Sequence, residues 1–425
     1  MPDHLSATIL LQGARVVGPD RVIEQGAVLI ESVRIANVFD SAVDQFPDAD
    51  TVIDLKGLTL FPGFIDVHIH GAAGIDALAA TAADLGRVSE FLAGKGVTAW
   101  MPTLVPAAAE EYEQAIDSIT GLMERQSVPL RADGTSALPA NTARVIGVHY
   151  EGPFVNSAQC GALHSEHFRT FRTDDDLDSL PTIKNDQAVH LITVAPEIEG
   201  GINLIKELRR RGWVVSIGHT RATIDVLDQA LAAGARHMTH FMNAMPPLHH
   251  RDPGPVGWGL IHDEVTCDLI ADGVHLDPAI LGLILRSKTA ERISLISDAV
   301  APTGLGDGYY QIWGEAIQVV NGRTQNPRGS IAGSVITMLD AVRMMRSLGV
   351  SELAAASMAA TNPARLLGID HECGSIEAGK RADLVALNHQ GEIELVMIGG
   401  VASDQTRLRG FRFPIETRQG RRGLV

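Results

Sequence analysis

FPGFIDVHIHG, residues 61–71, decides the fold. Pro62-Gly63 interrupts whatever precedes it, and FIDVHIH (64–70) then reads as a strand. Side chains on a strand alternate with period two, so His68 and His70 share a face. A His-x-His taken alone is more often two solvated histidines on a surface strand. Here the surrounding residues are apolar and the segment opens a long run of strand, loop and helix. Both observations favour two inward-facing histidines.

Downstream, further apolar strands are expected at 97–101, 145–151, 190–196, 214–219, 237–240, 267–272 and 293–298. Helical spacing of apolar residues lies between them at 83–96, 202–212 and 222–235, and again at 336–348 and 352–367. Eight strands alternating with helices predict an α/β fold, a TIM (β/α)8 barrel spanning 61–374. Upstream, residues 8–60 contain short strands separated by Gly, Asp and Pro, as hairpins require. Strands return in GSIEAGKRADLVALN and ELVMIGG near the other end. The simplest assembly is a small β-sandwich domain built from both chain ends, 1–60 and 375–425. LRADGTSALPANTA (130–143) reads as a polar surface loop.

Catalytic side chains of a barrel sit where its strands end at the C-terminal face. The predicted ends carry His68 and His70, Glu151, His219, His240, Asp272 and Asp298. His68, His70, Glu151, His219 and His240 form a nitrogen-and-oxygen set suited to one or two divalent transition metal ions, Zn, Fe or Mn. Glu151 can bridge two such ions; its alternative is to cap the turn begun by Gly152-Pro153. Asp298, beside a metal, can exchange a proton with water; its alternative is to cap a helix, which the proline in AVAPTG disfavours. His149 shares the face of Glu151 and is expected to support the ligands rather than join them. His237, three residues before His240, is expected to be structural.

Composition narrows the rest. The chain has 425 residues, a formal net charge of −16, and 45% hydrophobic residues. An acidic chain of this kind is not a general nucleic-acid or anionic-membrane binder, although a small anionic substrate needs only local positive groups. Three cysteines, with no Cys-x-x-Cys pair, argue against a disulfide framework or a thiolate zinc site. The start, MPDHLSATILLQGARVV, lacks the pattern of a signal peptide, and no run of about 18 apolar residues appears. A cytoplasmic location is therefore expected.

The strand-one His-x-His, the histidines ending strands five and six and the strand-eight aspartate resemble the amidohydrolase superfamily. More specific stretches resemble its N-acetylglucosamine-6-phosphate deacetylases: HYEGPFVN (149–156), TVAPE (193–197), GHTRAT (218–223), THFMNAMPPLHHRDPG (239–254), IADGVHLD (270–277), SDAVAPTGLGDGYY (297–310) and IAGSVITMLDAVR (331–343). The resemblance implies hydrolysis of the N-acetyl amide of a hexosamine 6-phosphate. It implies Glu151, His219 and His240 as core metal ligands, with His68 and His70 at a second metal position. Asp298 would be the acid–base. Asn243 and Ala244 would contact the sugar phosphate through the backbone, and Arg251 and His275 through their side chains. Arg251 would reach the neighbouring subunit's site, which implies a homodimer. Family members place a carbonyl-polarising histidine shortly after Glu-Gly-Pro; here CGALH (160–164) puts His164 one residue later, leaving the galactosamine epimer or another N-acyl sugar open as substrate.

Two rivals are weaker. Cyclic-amide hydrolases commonly use a lysine at strand four, and HLITVAPE offers none. A non-catalytic sugar-phosphate binding protein on the same scaffold has no need of an acid–base aspartate beside a metal.

Overall fold

In the computed structural model, which describes residues 8–41, 45–127, 142–178 and 180–403, the first barrel strand is Phe64–Ile69. Every residue in it is buried. A barrel strand faces packed side chains on one side and helices on the other, which explains its near-continuous apolar sequence. The strand runs parallel to Val97–Leu104, and parallel pairing continues through Gly147–Glu151, Val189–Val194, Val214–Ile217, His237–Met238, Thr266–Ile270 and Ile293–Ile296.

Strands eight and one then meet. The Asp298 N–H donates to His68 O at 2.9 Å, and the His70 N–H donates to Ala299 O at 2.8 Å. Ser297 Oγ donates to the buried Asp66 carboxylate at 2.5 Å. Closure thus occurs at the residues that carry the histidine pair and the candidate acid–base.

The helices between strands follow the apolar spacing. Ala82–Ala93 opens on a capping box: Thr81 Oγ1 accepts from the Asp84 N–H, and the Asp84 carboxylate accepts from the Thr81 N–H. It buries Leu85, Val88 and Leu92 on one face. The helix expected over 352–367 is divided into Glu352–Ala356, a π turn at Ser357–Thr361 and Asn362–Leu367. Pro363 has no N–H to donate, so the ordinary ladder cannot run through it.

The sheet built from both chain ends is present among the described residues. Its order is Val401–Ala402, Ile393–Ile398, Leu384–Leu387, Thr59–Pro62, Thr8–Val17, Val22–Glu31, Arg34–Asp40, with Thr51–Asp54 also pairing with Thr8–Val17. Two N-terminal pairings are antiparallel, as hairpins require, but Thr51–Asp54 and Thr59–Pro62 both run parallel to Thr8–Val17. Leu11, Ile30, Leu55, Leu384 and Leu395 fill the core of this sheet. Residues 130–141 of the expected polar loop lie outside the described residues, as do 404–425. One unexpected element follows strand eight: an antiparallel sheet of Gly308–Ile312, Glu315–Val320 and Arg323–Gln325.

Two glycines test the packing in opposite directions. A Cβ on Gly147, at the start of barrel strand three, would lie 1.9 Å from the Val189 carbonyl oxygen. Backbone cannot yield cheaply there, so Gly147→Ala is predicted to destabilise by more than about 4 kcal/mol or to give no folded protein. Gly282, inside helix Pro278–Ser287, has open space where its Cβ would go. Gly282→Ala is predicted to stabilise by up to about 1 kcal/mol. Urea unfolding of both variants measures the contrast, and equal effects would contradict this account of barrel packing.

Candidate metal centre

Each strand end turns sharply after delivering its side chain. His219, His240 and Asp298 have φ of 47°, 26° and 49°, in the left-handed region that non-glycine residues seldom enter. Three such residues in one place are the local strain found where side-chain direction outranks backbone comfort.

The result is two contiguous groups of buried side chains, each able to hold a metal ion: His68, His70 and Asp298, and Glu151, His219 and His240. Glu151 Oε1 lies 2.9 Å from His219 Nε2 and 2.9 Å from His240 Nε2, and those nitrogens are 3.1 Å apart. The other Glu151 oxygen, Oε2, lies 3.3 Å from His70 Nε2. Asp298 Oδ1 is 3.2 Å from His70 Nε2 and 3.4 Å from His68 Nε2. Glu151 therefore faces both groups.

Tautomers show what the centre requires. His219 Nδ1 is 2.8 Å from the Gln159 carbonyl, and His70 Nδ1 is 3.2 Å from the Thr103 carbonyl. A carbonyl only accepts, so each Nδ1 carries a proton and each Nε2 points inward, where it can offer a lone pair to a metal in place of a second proton. These inward nitrogens face carboxylate oxygens and one another. That arrangement is repulsive unless positive charge lies among them. The shifts agree. Burial would lower His70, but Asp298 and Glu151 override it and push it up to about 10. Burial likewise opposes ionisation of Glu151, yet the surrounding histidines, His68 foremost, hold its carboxyl well below the usual range. Separations near 3 Å also suit ligands around one ion, since bonds of about 2.0–2.1 Å in a tetrahedron leave ligand atoms roughly 3.3 Å apart. The residues thus fit a divalent metal.

The surroundings hold these rings in place. His149 does not join either group. Its Nε2 is 2.9 Å from Thr193 Oγ1, its ring meets His68 edge-on at 4.6 Å, and burial lowers it to about 3. His237 is structural, with Nδ1 2.7 Å from Thr266 Oγ1 and Nε2 2.9 Å from Asp268 Oδ1. Asp272, just past the end of strand seven, accepts from His275 Nδ1 at 2.7 Å.

A cavity of about 300 Å³ opens onto the centre. Asn243, Ala244 and His275 line it. Arg251 and His164 are not among its lining residues. Arg251 is exposed, with Nη1 2.7 Å from His250 Nε2. His164 stands beside the lining Leu163, with Nδ1 3.2 Å from Glu166 Oε1 and Nε2 3.8 Å from Glu315 Oε1. The sequence reading missed Trp313, which lines the cavity and meets the His70 ring edge-on at 5.1 Å. No periodic pattern marks it, because it sits in the turn of the unexpected sheet.

Residues 59–402 match the amidohydrolase family. The chain belongs to that family. It is 34% identical to N-acetylgalactosamine-6-phosphate deacetylase of Escherichia coli O157:H7 over 89% of this chain and 96% of that one. It is 32% identical to N-acetylglucosamine-6-phosphate deacetylase of Bacillus subtilis over 93% and 97%. Among solved structures, N-acetyl-D-glucosamine-6-phosphate deacetylase of Mycobacterium smegmatis in complex with N-acetyl-D-glucosamine-6-phosphate is similar at a TM-score of 0.80, with 32% identity, over 93% of this chain and 99% of that one. Family and centre together support a divalent metal cofactor. Among the described residues no helix is long and apolar enough to cross a membrane.

Metal analysis of the purified protein is predicted to find at least one divalent transition ion per chain. His219→Ala and Glu151→Gln should each lower that content well below wild type. Chelation should lower the melting temperature, because an ion that binds only the folded state stabilises it. A metal-free protein with unchanged melting temperature and full activity would sink this description of the centre.

Proposed function

We propose that the protein hydrolyses the N-acetyl amide of N-acetylglucosamine 6-phosphate, releasing acetate and glucosamine 6-phosphate. One observation carries the reading: the cavity that exposes the centre is also walled by Asn243, Ala244 and His275, so a polar sugar phosphate and the reacting amide fit one site. The relatives' substrates supply the chemical class. The galactosamine epimer is the second reading, favoured by the relative of that name.

The centre would hold one or two ions of Zn, Fe or Mn, with Glu151, His219 and His240 as one ligand set and His68 and His70 as the other. A divalent metal there supplies Lewis acidity, polarising the acetyl carbonyl and lowering the pKa of water toward 7. Asp298 takes a proton from the attacking water and passes it to the amine as the C–N bond breaks. The second transfer matters as much as the first, because an amine leaves poorly unless protonated. Asp298 Oδ1 lies at the same centre, 3.2 Å from His70 Nε2 and 3.4 Å from His68 Nε2. His164, one residue beyond the lining Leu163, is assigned to the acetyl oxygen.

At the other end of the substrate, Asp272 accepts from His275 Nδ1 at 2.7 Å, which fixes the ring and leaves Nε2 for an anionic phosphate. Asn243 is oriented by its Nδ2 donating to His240 O at 3.1 Å. Arg251, exposed and away from this cavity, is assigned to the phosphate of a neighbouring subunit's substrate, in a homodimer. The location proposed is the cytoplasm.

Acetate release from both epimers, with and without the 6-phosphate, tests the reaction and its substrate together. Asp298→Asn is predicted to lower kcat by about 10²–10⁴-fold while keeping its metal; near-normal kcat would remove Asp298 from the mechanism. Arg251→Ala is predicted to lower kcat/KM for the phosphorylated sugar by about 10- to 150-fold, the worth of a hydrogen bond to a charged group. The unphosphorylated sugar should barely change. Equal losses on both would make Arg251 a structural residue.

A further inference from the structure

The cavity has two chemically different ends. Asn243, Ala244 and His275, beyond strands six and seven, make one end polar. Leu163 and Trp313, which pack in one cluster, make another part apolar. The polar part adjoins the centre at His240, whose carbonyl accepts from Asn243, and the apolar part adjoins it at His70, whose ring meets Trp313. An N-acylated amino-sugar phosphate has the same division: its sugar and phosphate are polar, and its acyl tail is its apolar end.

Trp313 is held at the apolar end against the preference of its own backbone. Ile312 pairs with Glu315, so Trp313 and Gly314 form a two-residue hairpin turn, with φ of 51° and 77°. The first position of such a turn favours Asn, Asp or Gly, and a bulky aromatic there is an outlier. Contacts of the indole hold it in place. Nε1 donates to Asp76 Oδ2 at 2.9 Å. The ring stands edge-on to His70, with centroids 5.1 Å apart and planes at 80°. Its apolar body packs on the cluster of Val105, Val155, Leu163 and Ala195. An indole fixed from three sides beside a candidate metal ligand makes a rigid wall.

We infer that Trp313 sets the length of acyl group the enzyme accepts, an inference that rests on the deacetylase reading above. The reacting carbonyl has to meet Asp298 and the histidines. With sugar and phosphate toward Asn243 and His275, the tail extends past His70 toward the indole. In a cavity of about 300 Å³, an acetyl methyl is accommodated and longer chains meet the ring.

The test compares kcat/KM for N-acetyl, N-propionyl and N-butyryl forms of the hexosamine 6-phosphate that the wild type prefers. One methylene is discriminated by about 10- to 200-fold in a shaped pocket, so the wild type should lose about tenfold or more at each step. Trp313→Gly removes the wall and also suits the left-handed turn. It is predicted to narrow the acetyl-to-butyryl ratio at least tenfold. Trp313→Phe keeps an aromatic wall without the N–H, and should retain the wild-type ranking. Trp313→Leu shortens the wall while keeping apolar filling; it should give an intermediate ratio, and it carries the test if the glycine variant melts early. An unchanged ratio in folded variants overturns the inference. So does an equal loss on all three substrates, which would make Trp313 a support for His70 alone. A wild type that releases no carboxylate from any of them overturns the proposed function itself, before any variant is compared.

Discussion

Everything at the barrel mouth depends on one electrostatic constraint. Glu151 Oε1 is 2.9 Å from two imidazole nitrogens, and the His219 ring is turned to aim Nε2 there because its Nδ1 serves a carbonyl. Lone pairs and carboxylates gathered out of water need a cation. The left-handed turns at His219, His240 and Asp298 make sense only as the means of collecting these groups. Around them, ordinary structure supplies rigidity: His68 Nδ1 lies 3.1 Å from Thr239 Oγ1, and Thr193 steadies His149.

Barrel closure serves the same end. The hydrogen bonds joining strands eight and one fall at His68, His70, Asp298 and Ala299, so the backbone seam and the side-chain cluster fix each other. Asp66 adds a buried link behind the seam through Ser297, and burial raises its carboxyl to about 7. A seam placed elsewhere would leave the histidine pair and Asp298 free to drift apart. Here their separation is set by main-chain geometry.

The barrel and the side chains gathered at its mouth were legible in the sequence because both obey simple periodicities. Strands buried on two faces appear as apolar runs, and their ends carry the chemistry. The strand-end histidines, Glu151 and Asp298 needed no knowledge of loops. Asp272 received no role from the sequence, since a carboxylate at a strand end looks the same whether it faces a metal or accepts from a histidine three residues on. Parallel pairing of Thr51–Asp54 with Thr8–Val17 was hidden too, because alternation identifies a strand without naming its partner. Trp313 escaped for a related reason: it breaks the turn rule that would have revealed its hairpin, and its role comes from contacts with residues far along the chain. His164 and Arg251 lie on connecting segments, whose side-chain directions no periodicity fixes.

The sheet made from both chain ends has a consequence for biosynthesis. Thr59–Pro62 takes Leu384–Leu387 as its antiparallel neighbour, so more than three hundred residues must leave the ribosome before that edge is covered. Until then the N-terminal strands present open hydrogen-bonding groups, the kind of edge on which chains aggregate. The barrel strands, each beside its sequence neighbour, can assemble in order of emergence. The sheet is thus the last part to be completed, and the nascent chain depends on its own tail, or on a chaperone, to cover the strands made first.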